Sequence, residues 1–208
     1  MLSADDLATR LSRALPQAGC AAISALAGEL HRAWSEPHRA YHALQHLSEC
    51  LVAFDRVQAE LQWPEAVLLA LVFHDAVYDP KRQDNEALSA EWATASLLTL
   101  GASTAMTVRV SALVMATQAH LPDADDAQPG DTTLLLDIDL SILGSDPVRF
   151  AEYEAQIRRE YAFVPDAQYA AVRAQVMRGF AKRVPIFQSA HFQQQLEATA
   201  HRNLAVFG

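Results

Sequence analysis

Three short stretches of the chain carry side chains of the kind that hold divalent metal ions. Residues 41–47, YHALQHL, set His42 and His46 four apart. Residues 72–80, VFHDAVYDP, join His74 directly to Asp75. Residues 134–144, LLLDIDLSILG, place Asp137 and Asp139 two apart in an otherwise apolar run. Imidazole nitrogen together with carboxylate oxygen suits borderline or hard divalent ions such as zinc, manganese, iron or nickel. A carboxylate inside apolar sequence is costly to bury unless a cation, a metal or hydrogen-bond donors satisfy it.

Each stretch taken alone allows more than one reading. On a helix, positions i and i+4 lie about 40° apart, so His42 and His46 are expected on one face, with Leu44 and Leu51 on the roughly opposite side. That places the histidines at the border of the core, where a polar stripe facing solvent is the ordinary outcome. His74-Asp75 follows the almost wholly apolar run from Ala66 to Phe73. At a helix end both side chains can reach one ion; Asp75 can equally be satisfied by backbone donors or by Lys81 and Arg82. Asp137 and Asp139 point about 200° apart on a helix, so at least one must enter the protein and is expected to need a cation there. Pairing with an arginine and capping of a neighbouring element are the alternatives. Taken together the order is His, His-Asp, Asp on three different helices, and four such ligands leave coordination positions open for water, as catalytic sites do.

Flanking residues extend the list. Tyr78, Asp79, Asn85 and Glu86 follow the His-Asp pair closely, and Glu86 is a candidate to orient a metal's water. His120 ends a helix beside a long acidic loop, as an additional ligand, a phosphate contact or a histidine at a helix C-terminus. Arg159 is a weaker substrate candidate, and Lys81 and Arg82 read as solvated loop charge.

The elements that must position these groups are helices. Ser3 caps a first helix ending near Leu15, and a second runs from Ala18 to Trp34. The segment EPHRAYH leads into a third that continues through Leu61. Pro64 suits the first turn of a helix over 64–77, apolar on nearly every face and therefore central. Asp84 caps a helix through Leu100 with Gly101 just past its end, and Ser103 caps another ending near His120. After the polar loop LPDADDAQPGD, a short apolar helix ends at Gly144. Three more start at Asp146-Pro147, Pro165 and Ser189. No period-two alternation is long enough for a strand. The expected architecture is a single all-α domain over 1–208, a helical bundle of about eight to ten helices. Its metal-site core lies at about 37–144, and C-terminal helices complete it.

Bulk properties set the limits. A chain of 208 residues, 51% apolar and 20% charged, is long enough to bury a substantial core. A net charge of −9 argues against a nucleic-acid polymer or an anionic membrane as partner, but a bound metal can reverse the local field for a small anionic substrate. Two cysteines, Cys20 and Cys50, cannot form a disulfide framework and point to a reducing compartment. The acidic start is unlike a secretory signal and no apolar run approaches a membrane span, so a cytoplasmic protein is expected.

With these motifs in place, the chain resembles the HD superfamily of metal-dependent phosphohydrolases, whose signature is H…HD…D on an all-α scaffold. YHALQH is similar to the YHNxxH of the cyclic-nucleotide phosphodiesterase branch, HDAVYDP…NE to the segment after that branch's HD pair, and DIDLSILG to the last motif. More closely, the whole resembles a bacterial group of predicted HD phosphohydrolases of unassigned substrate. Thr117/His120, Arg159-Glu160-Tyr161 and Arg202-Asn203 carry the likeness towards the C-terminus. The resemblance implies that His46, His74, Asp75 and Asp139 bind metal. Asp75 is the candidate to bridge a second ion, and Asp139, directly before Leu140, fits better than Asp137. His42, together with Asp75 and Glu86, would serve catalysis, with His42 as the acid facing phosphate.

The implied cofactor is one divalent ion, or two, drawn from Mn, Mg, Fe, Zn, Ni and Co. Only 28 residues separate His46 from His74, fewer than in the phosphodiesterases, and their large substrate-binding region has no counterpart, which argues against a cyclic nucleotide. The expected activity is hydrolysis of a small phosphoester, with nucleotides among the candidates. The alternatives are a metal- and nucleotide-binding module without turnover and a di-iron HD oxygenase. A homo-oligomer is compatible with the sequence.

Overall fold

A computed structural model of the chain describes residues 2–121, 126 and 128–208, and every described element is helical. Ten α-helices follow in order, matching the expected all-α bundle. They are α1 (Ala4–Ala14), α2 (Cys20–Ala33), α3 (Leu44–Val57), α4 (Pro64–Phe73), α5 (Asn85–Thr99), α6 (Thr104–Ala116), α7 (Pro129–Asp139), α8 (Pro147–Glu160), α9 (Asp166–Ala181) and α10 (Ala190–Leu204). Short 3-10 segments follow α3, α7 and α10. The chain divides into two compact units, Met1–Leu136 and Asp137–Gly208, with the boundary inside α7. No helix among the described residues is long and apolar enough to cross a membrane.

The helix starts follow from capping. Ser3 accepts from the Asp6 amide while the Asp6 carboxylate takes the Ser3 amide, a reciprocal capping box. Ser103 accepts from the Met106 amide, and Asp146 from Val148 and Arg149. Asp84 stands at the expected cap of α5 but accepts no helix amide; its carboxylate is spent on Arg82 at 2.7 Å. Gly101, at φ +75°, takes the left-handed conformation that ends α5.

In the first unit α4 is the centre. Every residue from Ala66 to Phe73 is buried, as its all-round apolarity requires, and α1, α3, α5 and α6 pack around it. Its start is held by Asp131, which is almost fully buried and accepts from the amides of Gln62 and Trp63 at 2.8 and 2.9 Å. The carboxylate thereby satisfies donors that precede a helix opened by Pro64.

In the second unit α10 packs against the 3-10 segment Leu140–Gly144. A Cβ on Gly144 would lie 2.5 Å from the Leu196 Cβ, so only glycine permits this approach. Asn203 is buried and donates to the Leu143 and Ser145 carbonyls, both at 2.9 Å. Asn203 therefore fastens the segment that follows the DIDL motif.

Candidate metal centre

His46 sits in the first turn of α3 and is 2% exposed; His74 is the residue that terminates α4 and is 1% exposed. Their Nε2 atoms face each other at 3.3 Å. Asp75, one residue beyond α4, brings Oδ2 to 3.1 Å from His74 Nε2, with its side chain 14% exposed. One ligand atom from each of His46, His74 and Asp75 lies within 4.8 Å of the other two. These three residues come from separate stretches of sequence and form one cluster inside the first unit.

The hydrogen bonds around His74 fix its chemistry. Nδ1 lies 2.8 Å from the Leu71 carbonyl, which can only accept, so Nδ1 carries a proton and donates. In the neutral ring Nε2 is then a lone-pair donor aimed at His46 and Asp75. A lone pair and a carboxylate oxygen at 3.1 Å repel unless a positive centre lies between them, either a second proton on the imidazole or a metal ion. A ligating histidine that gives its other N–H to a backbone carbonyl is the arrangement that orients metal ligands. The donor set and its support therefore fit a divalent ion.

Aromatic side chains wall the cluster. The Trp34 ring centroid is 5.4 Å from that of His74, and Trp34 Nε1 donates to the Val72 carbonyl at 2.9 Å. The Tyr41 ring lies 4.7 Å from His46. Cys50, one helical turn after His46, holds its Sγ 3.7 Å from both ring nitrogens of that histidine.

His42 departs from the expectation of a shared helical face. α3 begins at Leu44, with Ala43 extended at its N-cap, so His42 lies in a turn ahead of the helix. The reason is Arg39. Its Nη1 donates to the His42 carbonyl at 3.0 Å, an acceptor that an earlier helix start would give to the His46 amide. His42 is half-buried and stacks on Tyr78 at 4.2 Å between centroids, with its ring 6.1 Å from His46.

Arg39 is the group sequence reasoning missed. Its side chain is 0% exposed, and besides His42 it donates to the carbonyls of Asp75 at 2.7 Å and Ala76 at 2.9 Å and to Glu36 Oε2 at 3.0 Å. Its guanidinium carbon stands 5.6 Å from the Trp34 ring and 5.5 Å from the Tyr78 ring. One cation thus ties the turn carrying His42 to the loop carrying Asp75. Sequence supplied no signal for it, because an arginine two residues before a tyrosine is unremarkable until the carbonyls it collects are known.

The loop after the pair is pinned from α5. Asn85 is buried, with Oδ1 accepting from the Asp79 amide and Nδ2 donating to the Asp79 carbonyl. Both ends of the amide are spent on backbone, so Asn85 shapes the loop instead of facing a substrate. Ser89 adds an acceptor for the Val77 amide at 3.0 Å. Tyr78 is buried between His38 and His42. Glu86 is half-buried in the first turn of α5, and neither it nor His120 belongs to the three-residue cluster. His120 follows α6 with φ +48°, a left-handed conformation in which its amide reaches the Ala116 carbonyl. Arg159 is exposed on α8, and its neighbour Arg158 instead holds Asp166 and the Tyr161 and Val164 carbonyls.

The two aspartates of DIDL separate clearly. Asp139 is half-buried at the C-terminal end of α7, within the second unit. Asp137 is 2% exposed, and no cation pairs with it among the described residues. It accepts from the Gln188 and Ser189 amides at 2.9 and 2.7 Å, just ahead of α10. The expectation that the inward carboxylate needs a cation is corrected: the Ser189 side chain and the Gln188 and Ser189 amides satisfy it, as in the capping alternative. Burial pushes the Asp137 carboxyl above its ordinary value, although the Ser189 and Gln188 bonds act the other way. The folded state therefore holds this proton more tightly than the unfolded chain. Stability contributed here is greatest below the unfolded value of about 4 and falls as pH rises towards the raised native value. Asp137→Asn should flatten that fall; parallel urea-midpoint profiles of the two proteins against pH would contradict it.

Two surface hollows accompany these elements. A cleft of about 430 Å³ borders Ala76, Tyr78 and Asp79, and a groove of about 700 Å³ bordered by Val108, Arg109 and Met115 shares no residue with the cluster. No family profile, no curated protein and no solved structure matches the chain.

Proposed function

We propose that the chain is a metal-dependent phosphohydrolase acting on a small phosphoester, in which His46, His74 and Asp75 hold a divalent ion. What carries this reading is the convergence of two buried imidazole nitrogens and a carboxylate oxygen, with the far side of His74 fixed by the Leu71 carbonyl. The H…HD…D order of the sequence supports the same reading.

When bound, the ion supplies Lewis-acid polarisation of a phosphoryl oxygen and lowers the pKa of water towards neutrality. The chain's own residues do the rest. Asp75, the most exposed of the three donors, marks the side of the cluster from which substrate enters. His42 is held at the rim by stacking on Tyr78, and its half-exposed ring donates a proton to the leaving oxygen or to the phosphate. Imidazole is the side chain most often used for that task. Trp34 and Tyr41 exclude water from the back of the two ligand rings.

The test is metal analysis of the purified protein followed by phosphate release from a panel of nucleotides and phosphorylated metabolites. Release that requires a divalent ion, and that falls at least ~100-fold in Asp75→Ala, is the expected result. Full metal content and full turnover in that variant would sink the proposal. Tight retention of a nucleotide with no hydrolysis across the panel would replace it with a binding module.

A further inference from the structure

We propose that the outward face of α9 is where a second copy of the chain docks, the two helices lying antiparallel about a two-fold axis. The proposal stands on the second unit alone and is independent of the metal-site reading. Of the 16 residues of α9 only Met177 is buried. Helices draw most of their stability from packing an apolar face, and a face left to solvent ordinarily carries charge. In α9 the three charged side chains are all drawn back onto the protein: Asp166 to Arg158 at 2.6 Å, Arg173 to Glu154, and Arg178 to the Phe207 carbonyl at 2.9 Å. The outward face is left with Ala167, Gln168, Ala171, Val172, Gln175 and Val176, all exposed, the two valines by 54% and 44%. Neither glutamine makes a hydrogen bond among the described residues.

The order of these residues is self-complementary. At 100° per residue Gln168 and Gln175 lie about 20° apart on one line, with Val172 and Val176 flanking it on one side and Ala167 and Ala171 on the other. A two-fold axis passing between residues 171 and 172 sets Gln168 of each copy opposite Gln175 of the other. A primary amide both donates and accepts, so a glutamine can pair with its own kind, as a charged side chain cannot. Along one flank valines meet valines; along the other, alanines meet alanines and let the helix axes approach. Charge favours the same partner. Asp137–Gly208 holds eight acidic and eight basic residues, so the net charge of −9 resides in Met1–Leu136, and copies meeting through α9 join neutral units. A 16-residue helix is about 24 Å long and about 10–12 Å across. One such pair buries less than the ~1,200–2,000 Å² of a stable complex, so the dimer is weak and forms at micromolar concentrations or above.

The experiment is sedimentation equilibrium of the full-length protein from about 1 µM to about 1 mM, a range that brackets a micromolar Kd. Wild type should rise from the monomer mass towards twice that mass. Gln168→Glu/Gln175→Glu sets carboxylate against carboxylate across the axis and should weaken the dimer at least ~10-fold. Gln168→Lys/Gln175→Glu changes the same two positions but sets ammonium against carboxylate, and should hold the dimer. Circular dichroism shows that each variant is folded, and self-association of wild type stands without any variant. A wild type that remains monomeric throughout overturns the proposal. A dimer that the first double variant leaves intact, or that both variants weaken alike, overturns it as well.

Discussion

If the proposed metal site is right, replacing His46 by alanine should abolish divalent-ion binding, while replacing His42 should spare that binding and remove turnover. The expected loss of metal affinity for His46→Ala, and equally for His74→Ala, is about 100-fold or more, since each removes a buried donor and not merely its support. For His42→Ala the expected loss is in kcat, by roughly 10²–10⁴, the range ascribed to a positioned general acid. The separation follows from position. His46 is 2% exposed and its Nε2 faces that of His74 at 3.3 Å, so it has no route to a substrate. His42 lies outside α3, half-buried against Tyr78, with no place in the three-residue cluster.

A readout independent of activity is available in stability. Wild type at a metal concentration about 100-fold above Kd should gain about 2.7 kcal/mol. That corresponds to a Tm rise of roughly 5–10 °C for a chain of this size. His42→Ala should keep that rise and His46→Ala should lose it. Equal Tm gains in both variants would remove the distinction between ligand and acid.

Much of this arrangement was legible in the sequence, and the parts that were not share a physical cause. The ten helices follow from caps and breakers that act over three or four residues, so Ser3, Ser103, Asp146 and Pro64 announce themselves. The centrality of α4 follows from its composition alone. The grouping of His46 with His74 and Asp75 was foreshadowed by ligand types on separate helices. The start of α3 was not, because it depends on Arg39 capturing a carbonyl, a bond made possible only when a loop 36 residues away folds against the same guanidinium. Periodicity therefore extends the helix back through His42, which the structure places in a turn. Asp137 was misjudged for a similar reason. Its satisfying amides belong to Gln188 and Ser189, some fifty residues on, and a backbone donor leaves no trace in residue type. Local capping is written in neighbouring letters; satisfaction of buried groups by distant backbone is not.

Arg39→Ala should cost the first unit about 3–5 kcal/mol, at about 1–3 kcal/mol for each carbonyl left without its donor, a large fraction of the ~5–15 kcal/mol that holds a typical domain together. Three carbonyls, those of His42, Asp75 and Ala76, would lose the donor that a fully buried side chain supplies, and Glu36 would lose its ion pair with Arg39. The truncation also opens a void between Trp34 and Tyr78. Arg39→Lys isolates the geometric part of the effect. Lysine retains the charge but offers a single ammonium, which cannot reach both the Asp75 and Ala76 carbonyls and the His42 carbonyl as a planar fork does. Its stability should fall between those of wild type and alanine. Its metal affinity should nevertheless fall clearly, although Arg39 touches none of the proposed ligands, because the backbone that aims Asp75 would be released. Urea unfolding gives the first quantity and chelator competition the second. If Arg39→Lys lowered stability while leaving metal affinity and the kcat of the phosphoester reaction untouched, Arg39 would be a packing residue alone. A loss of affinity larger than the loss of stability explains would identify it as the residue that positions the site.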